Sequence, residues 1–88
     1  MPIDLFKSLS DPTRIKIIKL LRNKEMCACE IPEKVNRAQP TVSQHLKILE
    51  KSGVLQSRRN GREILYSIAD EKIFELIEIA EKIQNRGD

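Results

Sequence analysis

Apolar residues return every three or four positions along most of this chain, which is the spacing that predicts amphipathic helices. Two such stretches fall in residues 1–24. Between them lies the segment SDPTR, in which Ser10 or Asp11 can cap the second helix and Pro12 suits its first turn. The pattern therefore predicts two consecutive helices at the start of the chain.

Residues 27–53 predict two more helices, a short one and a longer one, joined by a three-residue turn. Ile31 and Val35 lie four positions apart on one face of the short helix. The longer helix has its apolar positions at i, i+4 and i+7, namely Val42, Leu46 and Leu49. Gly53 ends it in the way that a left-handed cap does. This order, with a polar outer face on the longer helix, is typical of a helix-turn-helix.

Residues 54–68 change to the two-residue alternation of β-strands. Asn60-Gly61 stands between two β-prone runs, and both residues tolerate a positive φ. They are therefore predicted to be the central pair of a tight turn, in a two-stranded hairpin that follows the helix-turn-helix.

Residues 70–86 predict a terminal helix that begins with Asp70 as its cap and whose apolar surface is broader than one stripe. One face of such a helix covers its own domain, and the excess favours a two-fold contact with a second copy of the chain. The residues assigned to this homodimer contact are Ile73, Leu76, Ile77, Ala80 and Ile83. The alternative is a terminal helix that packs only on its own domain.

The length of 88 residues is enough for one domain and too small for two. We predict a mainly α fold with a small β-hairpin wing, formed as a single domain over residues 1–88. No apolar run approaches the roughly 18 residues of a membrane span, and the N-terminus lacks the basic-then-apolar order of a signal peptide. We therefore expect a cytoplasmic protein with no membrane partner, whose thiols stay reduced.

The formal net charge of +3 is distributed unevenly along the chain. Residues 70–88 hold three basic and six acidic groups, a net of −3, so residues 1–69 carry 13 basic and 7 acidic groups, a net of +6. A basic body with an acidic tail favours a polyanionic partner for the body. An ordinary solvated surface is the alternative.

The polar face of the longer helix offers side chains suited to double-stranded DNA. Its candidates for base contacts are Gln39, Thr41, Ser43 and Gln44, with Lys47 further along for phosphates. Amides can bond adenine in bidentate fashion, hydroxyls can bond bases or phosphates, and a threonine methyl can contact thymine. The tip of the hairpin adds the arginines Arg58, Arg59 and Arg62. They form a basic wing for phosphates or the minor groove, or else a merely solvated cluster.

Both cysteines of the chain, Cys27 and Cys29, lie in the pentapeptide MCACE. Soft thiolates favour thiophilic ions, which makes the pair a candidate metal or metalloid site. The alternatives are thiol oxidation and plain packing, since free cysteine is often buried as a small hydrophobe. An intramolecular disulfide between the two would close a tight ring, so a redox switch is expected to link protomers or to use sulfenic acid.

Four segments, LFKSLSDPTRIKIIKLL, MCACEI, QPTVSQHLKILEKSGVL and RRNGREILYSI, resemble the ArsR/SmtB family of arsenical-resistance and metal-sensing repressors over nearly the whole chain. The resemblance implies a winged helix-turn-helix homodimer, paired through its terminal helices. It further implies an autoregulatory repressor that binds a palindromic operator and leaves it when an inducer binds. The groove-reading positions of the family fall here on Gln39, Thr41, Ser43 and Gln44, with the wing at residues 58–62.

The resemblance also extends to the cysteine pair. Family members that sense arsenite or antimonite carry Cys-x-Cys at the start of the short helix, and some add a third cysteine where this chain has Pro32. It therefore implies As(III) or Sb(III) as an inducer at Cys27 and Cys29, with no cofactor required. Residues two apart in an ideal helix point to different sides, so an ion bound to both is expected to unwind the first turn.

The one histidine of the chain, His45, lies on the longer helix, where it is expected to pack near the turn or to contact DNA. A histidine and carboxylate site on the terminal helices, known in other family members, is therefore disfavoured. A winged-helix regulator without a metal site and a winged-helix module that binds protein are the alternative functions. An enzyme is not expected, since Cys27 and His45 are the only nucleophile and imidazole pairing and no glycine-rich phosphate loop is present.

Overall fold

Five helices and three short strands make up residues 2–86, the part of the chain that this computed structural model describes. In chain order they are α1 (Ile3–Ser8), α2 (Pro12–Leu20), β1 (Met26–Cys27), α3 (Ile31–Val35), α4 (Gln39–Lys51), β2 (Leu55–Asn60), β3 (Glu63–Ile68) and α5 (Lys72–Asn85). Helices α3 and α4 form the helix-turn-helix, and β2 and β3 form the hairpin that follows it. The predicted class, mainly α with a small β-hairpin wing, is confirmed.

Helix α2 begins at Asp11, one of the two caps that the SDPTR segment predicts. Its Oδ1 accepts hydrogen bonds from the backbone N–H groups of Thr13 (2.7 Å) and Arg14 (3.2 Å), and Pro12 occupies the first turn. Burial raises the pKa of Asp11, but these hydrogen bonds and the charges of His45 and Arg14 outweigh that effect. The pKa of Asp11 therefore lies below its ordinary value, and the ionised carboxylate stabilises the helix start.

The side chain of Arg14 joins α1, α2 and α4. Its Nε donates to the carbonyl of Ser8 (2.7 Å) and its Nη2 to the carbonyl of Lys7 (3.3 Å). Its Nη1 lies 3.1 Å from Nδ1 of His45, whose side chain is only 15% exposed. Nε2 of His45 lies 3.9 Å from Oδ1 of Asp11. His45 thus packs against the start of α2, where the sequence had left open packing near the turn or a contact with DNA.

The apolar side of α4 packs on the core, as its periodicity predicts. Its buried residues are Val42, Leu46 and Leu49. The helix ends just before Gly53, which has a φ of +88°. The N–H groups of Gly53 and Val54 donate to the carbonyls of Glu50 (3.1 Å) and Leu49 (2.9 Å), which is the hydrogen-bond pattern of a Schellman cap. The end of the buried stripe is thereby fixed, and the opposite face of α4 is left to solvent.

The hairpin belongs to a three-stranded antiparallel sheet with the strand order β1-β3-β2, one strand more than the sequence predicts. Strand β1 has only two residues, and it pairs Met26 with Tyr66 and Cys27 with Leu65. A strand this short carries no alternation that a sequence pattern could reveal. The pairing nevertheless fixes the cysteine segment against the inner strand of the wing.

The hairpin turn lies one residue further along the chain than predicted. Asn60 pairs with Glu63, so the central residues of the turn are Gly61 and Arg62 rather than Asn60 and Gly61. Gly61 has a φ of +65°, whereas neither Asn60 nor Arg62 is among the described residues with a positive φ. A positive φ at the first central residue alone is what a type II′ turn requires, and that turn matches the twist of the strands.

Helix α5 buries one side against its own chain and exposes the other. The buried residues are Ile73, Phe74 and Ile77. The side chains of Ile79 and Ile83 are 56% and 65% exposed. Ahead of the helix, Asp70 accepts a hydrogen bond from the N–H of Lys72 (2.9 Å), close to its predicted capping role. Over residues 2–86, no helix combines the length and the apolar character that crossing a membrane requires.

Candidate nucleic-acid interface

The outer face of α4 carries the side chains that the sequence predicts for base and phosphate contacts. All of them are exposed: Gln39, Thr41, Ser43, Gln44 and Lys47. The first four lie in the half of α4 that follows the turn from α3. A row of amides and hydroxyls on a helix whose other face is anchored in the core is suited to a major groove.

The wing carries one paired arginine and two unpaired ones. Nε and Nη2 of Arg58 donate to the two carboxylate oxygens of Glu25, both at 2.7 Å. These hydrogen bonds lower the pKa of Glu25 and raise the pKa of Arg58. Arg59 and Arg62 are exposed, and the ion pairs formed within residues 2–86 include neither of them. Sequence reasoning missed Glu25, because no pattern connects its position to the hairpin.

Glu50 connects the end of α4 to the base of the wing. Its Oε2 accepts a hydrogen bond from Oγ of Ser57 on β2 (2.6 Å), and Ser57 pairs with Tyr66 on β3. Burial raises the pKa of the Tyr66 phenol, and the neighbouring charge of Glu50 raises it further. The two elements predicted to contact DNA are therefore joined directly by side chains as well as by the chain itself.

The cysteine pair lies ahead of α3 rather than on it, which corrects the sequence-based placement. Cys27 ends β1 and is buried, Cys29 is exposed in the following turn, and α3 begins only at Ile31. The backbone N–H of Glu30 donates to the carbonyl of Cys27 (2.9 Å), so the two cysteines lie in a turn and their side chains are not directed apart by a helical repeat. An ion bound to both sulfurs therefore need not unwind the first turn of α3.

The two cysteines are joined by an intramolecular disulfide, the arrangement that the sequence analysis disfavoured. Their Cα atoms are 5.1 Å apart, within the usual range for such a bond. The backbone N–H of Cys29 also donates to Sγ of Cys27 (3.1 Å). The turn between β1 and α3 thus brings both sulfurs to one point, where the expectation from a helix was that they would diverge.

A third candidate ligand, Glu63, lies beside the cysteine pair. Its Oε2 is 4.0 Å from Sγ of Cys29, and the ligand atoms of Cys27, Cys29 and Glu63 all lie within 4.8 Å of one another. These three residues line a shallow pocket of about 230 Å³ together with Gln39 at the start of α4 and Arg62 in the wing turn. Sequence reasoning missed Glu63, since only the register of β1 against β3 brings it here.

The residues predicted for a dimer contact divide into two groups. Ile73 and Ile77 are buried in this chain's own core, whereas Ala80 and Ile83 are exposed. Leu76 is partly buried and lines a groove of about 410 Å³ between α5 and the first two helices. The outward half of the predicted set is therefore the part that is free to meet a second copy.

The fold and this surface define the class of protein: a winged helix-turn-helix, with a core-anchored polar helix next to a basic hairpin. The family model described as "Bacterial regulatory protein, arsR family" matches residues 11–57. The chain belongs to the ArsR family, as its four sequence segments indicate.

Relatives in sequence and structure agree with this assignment. An uncharacterized HTH-type transcriptional regulator of Methanocaldococcus jannaschii is 40% identical over 81 residues, which cover 91% of each chain. The arsenical resistance operon repressor of Escherichia coli is 39% identical over 70 residues, 78% of this chain and 60% of that protein. These relatives are transcriptional regulators rather than enzymes, as predicted.

A solved structure extends the comparison to the fold. The homodimeric winged helix-turn-helix DNA-binding domain from Mycobacterium bovis, described as a possible ArsR-family transcriptional regulator, is 25% identical to this chain. It superposes with a TM-score of 0.83 over 97% of this chain and 79% of that one. The architecture of residues 2–86 is thus that of a winged helix-turn-helix regulator.

Proposed function

We propose that this chain is a homodimeric repressor that binds a palindromic operator through α4 and the wing and leaves it when arsenite or antimonite binds Cys27 and Cys29. The observation that carries the proposal is the pocket that these cysteines share with Gln39 of α4 and Arg62 of the wing. A ligand in that pocket contacts both elements assigned to DNA. Binding of inducer and binding of operator are therefore coupled at one place.

The DNA half of the proposal rests on the exposed chemistry of α4 and the wing. The amides of Gln39 and Gln44 suit bidentate bonds to adenine in the major groove. Lys47, Arg59 and Arg62 suit phosphates, which set the register of the helix without reading sequence. Such a protein acts on operator DNA in the cytoplasm.

The dimer half of the proposal rests on the exposed side of α5. Ile79, Ala80 and Ile83 form an outward apolar row, and Leu76 continues it into the groove beside Phe6. A two-fold related copy of α5 placed there removes this surface from water. The two copies of α4 in this dimer then bind half-sites about 34–36 Å apart, which is one turn of the duplex.

The inducer half of the proposal requires the dithiol form. The disulfide takes two electrons and two protons from an external thiol reductant, which is itself oxidised to a disulfide. Arsenous acid then condenses with the thiols of Cys27 and Cys29, forming two As–S bonds, releasing two water molecules and keeping one hydroxyl on arsenic. An arsenic atom between the sulfurs holds them further apart than a direct bond does. The turn into α3 must therefore rearrange, and α3 leads directly into α4.

The experiment begins with selection of an operator from a library of random palindromes by the reduced protein. Fluorescence anisotropy then measures operator affinity with and without arsenite, for the parent chain and for Cys27→Ser. We expect one palindrome to be enriched, and arsenite to release the parent but not the variant. Enrichment of no palindrome contradicts the DNA half, and a complex that survives excess arsenite contradicts the inducer half.

A second candidate, control by thiol redox state, is supported by the disulfide itself. In this case reduction alone changes the geometry of the turn before α3, with no ion required. The selected operator tests it by comparing the affinities of oxidised and reduced protein, with Cys29→Ser as a chain that cannot close the bond. Equal affinities of the oxidised and reduced forms reject redox control.

A further inference from the structure

We infer that Glu63, a residue of the wing, is the third ligand of the cysteine site when that site holds a divalent thiophilic cation such as cadmium. The inference rests on the proposed function, since it concerns the same cysteine pair. It adds a residue of the wing to the ligand set. It also assigns the wing, rather than α3, as the element that the cation holds.

The position of Glu63 follows from the pairing of β1 with β3. Met26 lies opposite Tyr66 and Cys27 opposite Leu65. The ladder continues beyond β1, because the N–H of Ala28 donates to the carbonyl of Ile64 (2.9 Å). Cys29 follows in the turn after this edge of the sheet, where its Sγ lies 4.0 Å from Oε2 of Glu63. The sheet, not the mobility of a long side chain, is what brings the carboxylate to the sulfurs.

The three ligand atoms already lie close to one another, although the two sulfurs must separate before they can share an ion. Tetrahedral coordination with metal–sulfur bonds of about 2.3 Å and metal–oxygen bonds of about 2.1 Å places two sulfurs about 3.8 Å apart and sulfur and oxygen about 3.6 Å apart. The Cys29 Sγ to Glu63 Oε2 distance is 4.0 Å, and all three ligand atoms lie within 4.8 Å of one another. Once the disulfide is reduced, the sulfurs must separate to about 3.8 Å and the Glu63 carboxylate must move by up to about 1 Å to reach both of them.

The donor set separates a divalent cation from a metalloid. Two thiolates and a carboxylate, with water in the fourth position, are a ligand set that a borderline-soft divalent ion accepts. Its binding releases the two thiol protons, and the complex keeps a formal charge of −1 (one dication and three anionic ligands). Arsenite instead retains a hydroxyl in its third position after condensing with Cys27 and Cys29. Arsenite therefore needs no bond from Glu63, whereas the divalent ion does.

The location of Glu63 explains how the cation acts on DNA binding. Glu63 is the first residue of β3, directly after the turn formed by Gly61 and Arg62. A cation shared by Glu63 and the cysteines ties this turn to the segment ahead of α3. The same pocket is lined by Gln39, so the cation also lies at the start of α4. The cation thereby fixes the wing turn relative to the segment ahead of α3, beside the start of α4.

The test uses the reduced full-length chain and the two probes Cd(II) and arsenite. Cadmium affinity is measured from thiolate-to-metal absorption in competition with a chelator, and arsenite affinity from the loss of titratable thiols. The variants are Glu63→Gln, Cys27→Ser and the control Glu30→Gln, which removes an equal charge next to Cys29 from a residue outside the cluster. Far-UV circular dichroism checks that each variant is folded.

We expect Glu63→Gln to weaken cadmium binding by about 10-fold or more, because even groups that only support a ligand cost that much. Its arsenite affinity and the cadmium affinity of Glu30→Gln should stay within two-fold of the parent. Parent-like cadmium affinity in Glu63→Gln overturns the inference, and so does an equal loss for both ions, since Glu63 then merely supports the thiol pair. Failure of the proposed inducer is seen separately, as arsenite binding that is absent or indifferent to Cys27→Ser.

Discussion

The salt dependence of DNA binding tests whether Arg58 and Arg62 of the wing contribute equally to phosphate contacts. Arg62 lies in the hairpin turn and is unpaired within residues 2–86, whereas Arg58 already holds the carboxylate of Glu25 through two 2.7 Å hydrogen bonds. Two of the N–H donors of Arg58 are held by Glu25, and the carboxylate that stays beside it offsets the charge that Arg58 presents to the duplex. Within residues 2–86, Arg62 has no such competitor. Arg58 and Arg62 should therefore contribute unequally to phosphate binding, although the sequence assigns both of them to the basic wing in the same way.

The magnitude follows from counterion release. Each phosphate contact adds about 0.9 to the slope of log K against log salt, so a dimer that loses one contact on each wing loses about 1.8. We expect this loss for Arg62→Ala and less than half of it for Arg58→Ala. Glu25→Gln frees Arg58 and should make the slope steeper than that of the parent.

The assay is fluorescence anisotropy of a labelled, mixed-sequence duplex at a series of KCl concentrations, which needs no knowledge of the operator. Lys82→Ala, an exposed residue of α5 outside the face assigned to DNA, is the matched loss of one cation and should leave the slope unchanged. An equal reduction of the salt slope for Arg58→Ala and Arg62→Ala would refute the unequal contribution of the two arginines. A parental slope for Arg62→Ala would refute it as well.

Three further perturbations follow from the cap, the core and the terminal helix. Asp11→Ala should lower the free energy of unfolding by about 1 kcal/mol at pH 7. Because the folded pKa of Asp11 is lowered, that difference is fully present above its ordinary pKa and shrinks as pH falls through the folded value, which urea unfolding at neutral and acidic pH measures. Leu46→Ala should cost about 2–5 kcal/mol, read as a lower urea midpoint, since Leu46 is 2% exposed. Ile83→Glu should yield a folded 10.2 kDa monomer in sedimentation, because Ile83 is 65% exposed in one chain; a persistent dimer would remove Ile83 from the contact.

Local sequence signals identify the parts of the fold that depend on neighbouring residues. Asp11 and Pro12 indicate the start of α2, and Gly53 indicates the end of α4, because helix caps are formed by residues adjacent in the chain. The periodicity of α4 likewise separates its buried face from its polar face. The candidate DNA-binding positions follow from that face alone.

The sequence pattern did not predict the contacts that depend on strand register. The two-residue strand β1 is too short to show an alternation, yet its pairing decides where the cysteines meet Glu63. It also lies next to Glu25, whose pairing with Arg58 alters the charge of the wing. The one-residue error in the hairpin turn has the same origin, since Asn60 is suited to a turn but is instead paired with Glu63 across the ladder.

The sequence pattern also could not assign the individual apolar residues of the terminal helix α5 to their contacts. Its broad apolar surface predicts two contacts, but the pattern does not say which residues serve which. The structure assigns Ile73 and Ile77 to the chain's own core and leaves Ile79, Ala80 and Ile83 outside. A hydrophobic side chain has the same periodicity whether it faces its own domain or a second copy, so only packing could separate the two sets.

The central claim is that α4 and the wing together form the DNA-binding face. Its most direct test is a titration of uniformly ¹⁵N-labelled, reduced protein with a short duplex at low salt, followed by two-dimensional amide NMR. The largest shift changes are expected in residues 39–47 and 58–63, with α5 unaffected. Changes confined to α5, or none at low salt, would contradict it.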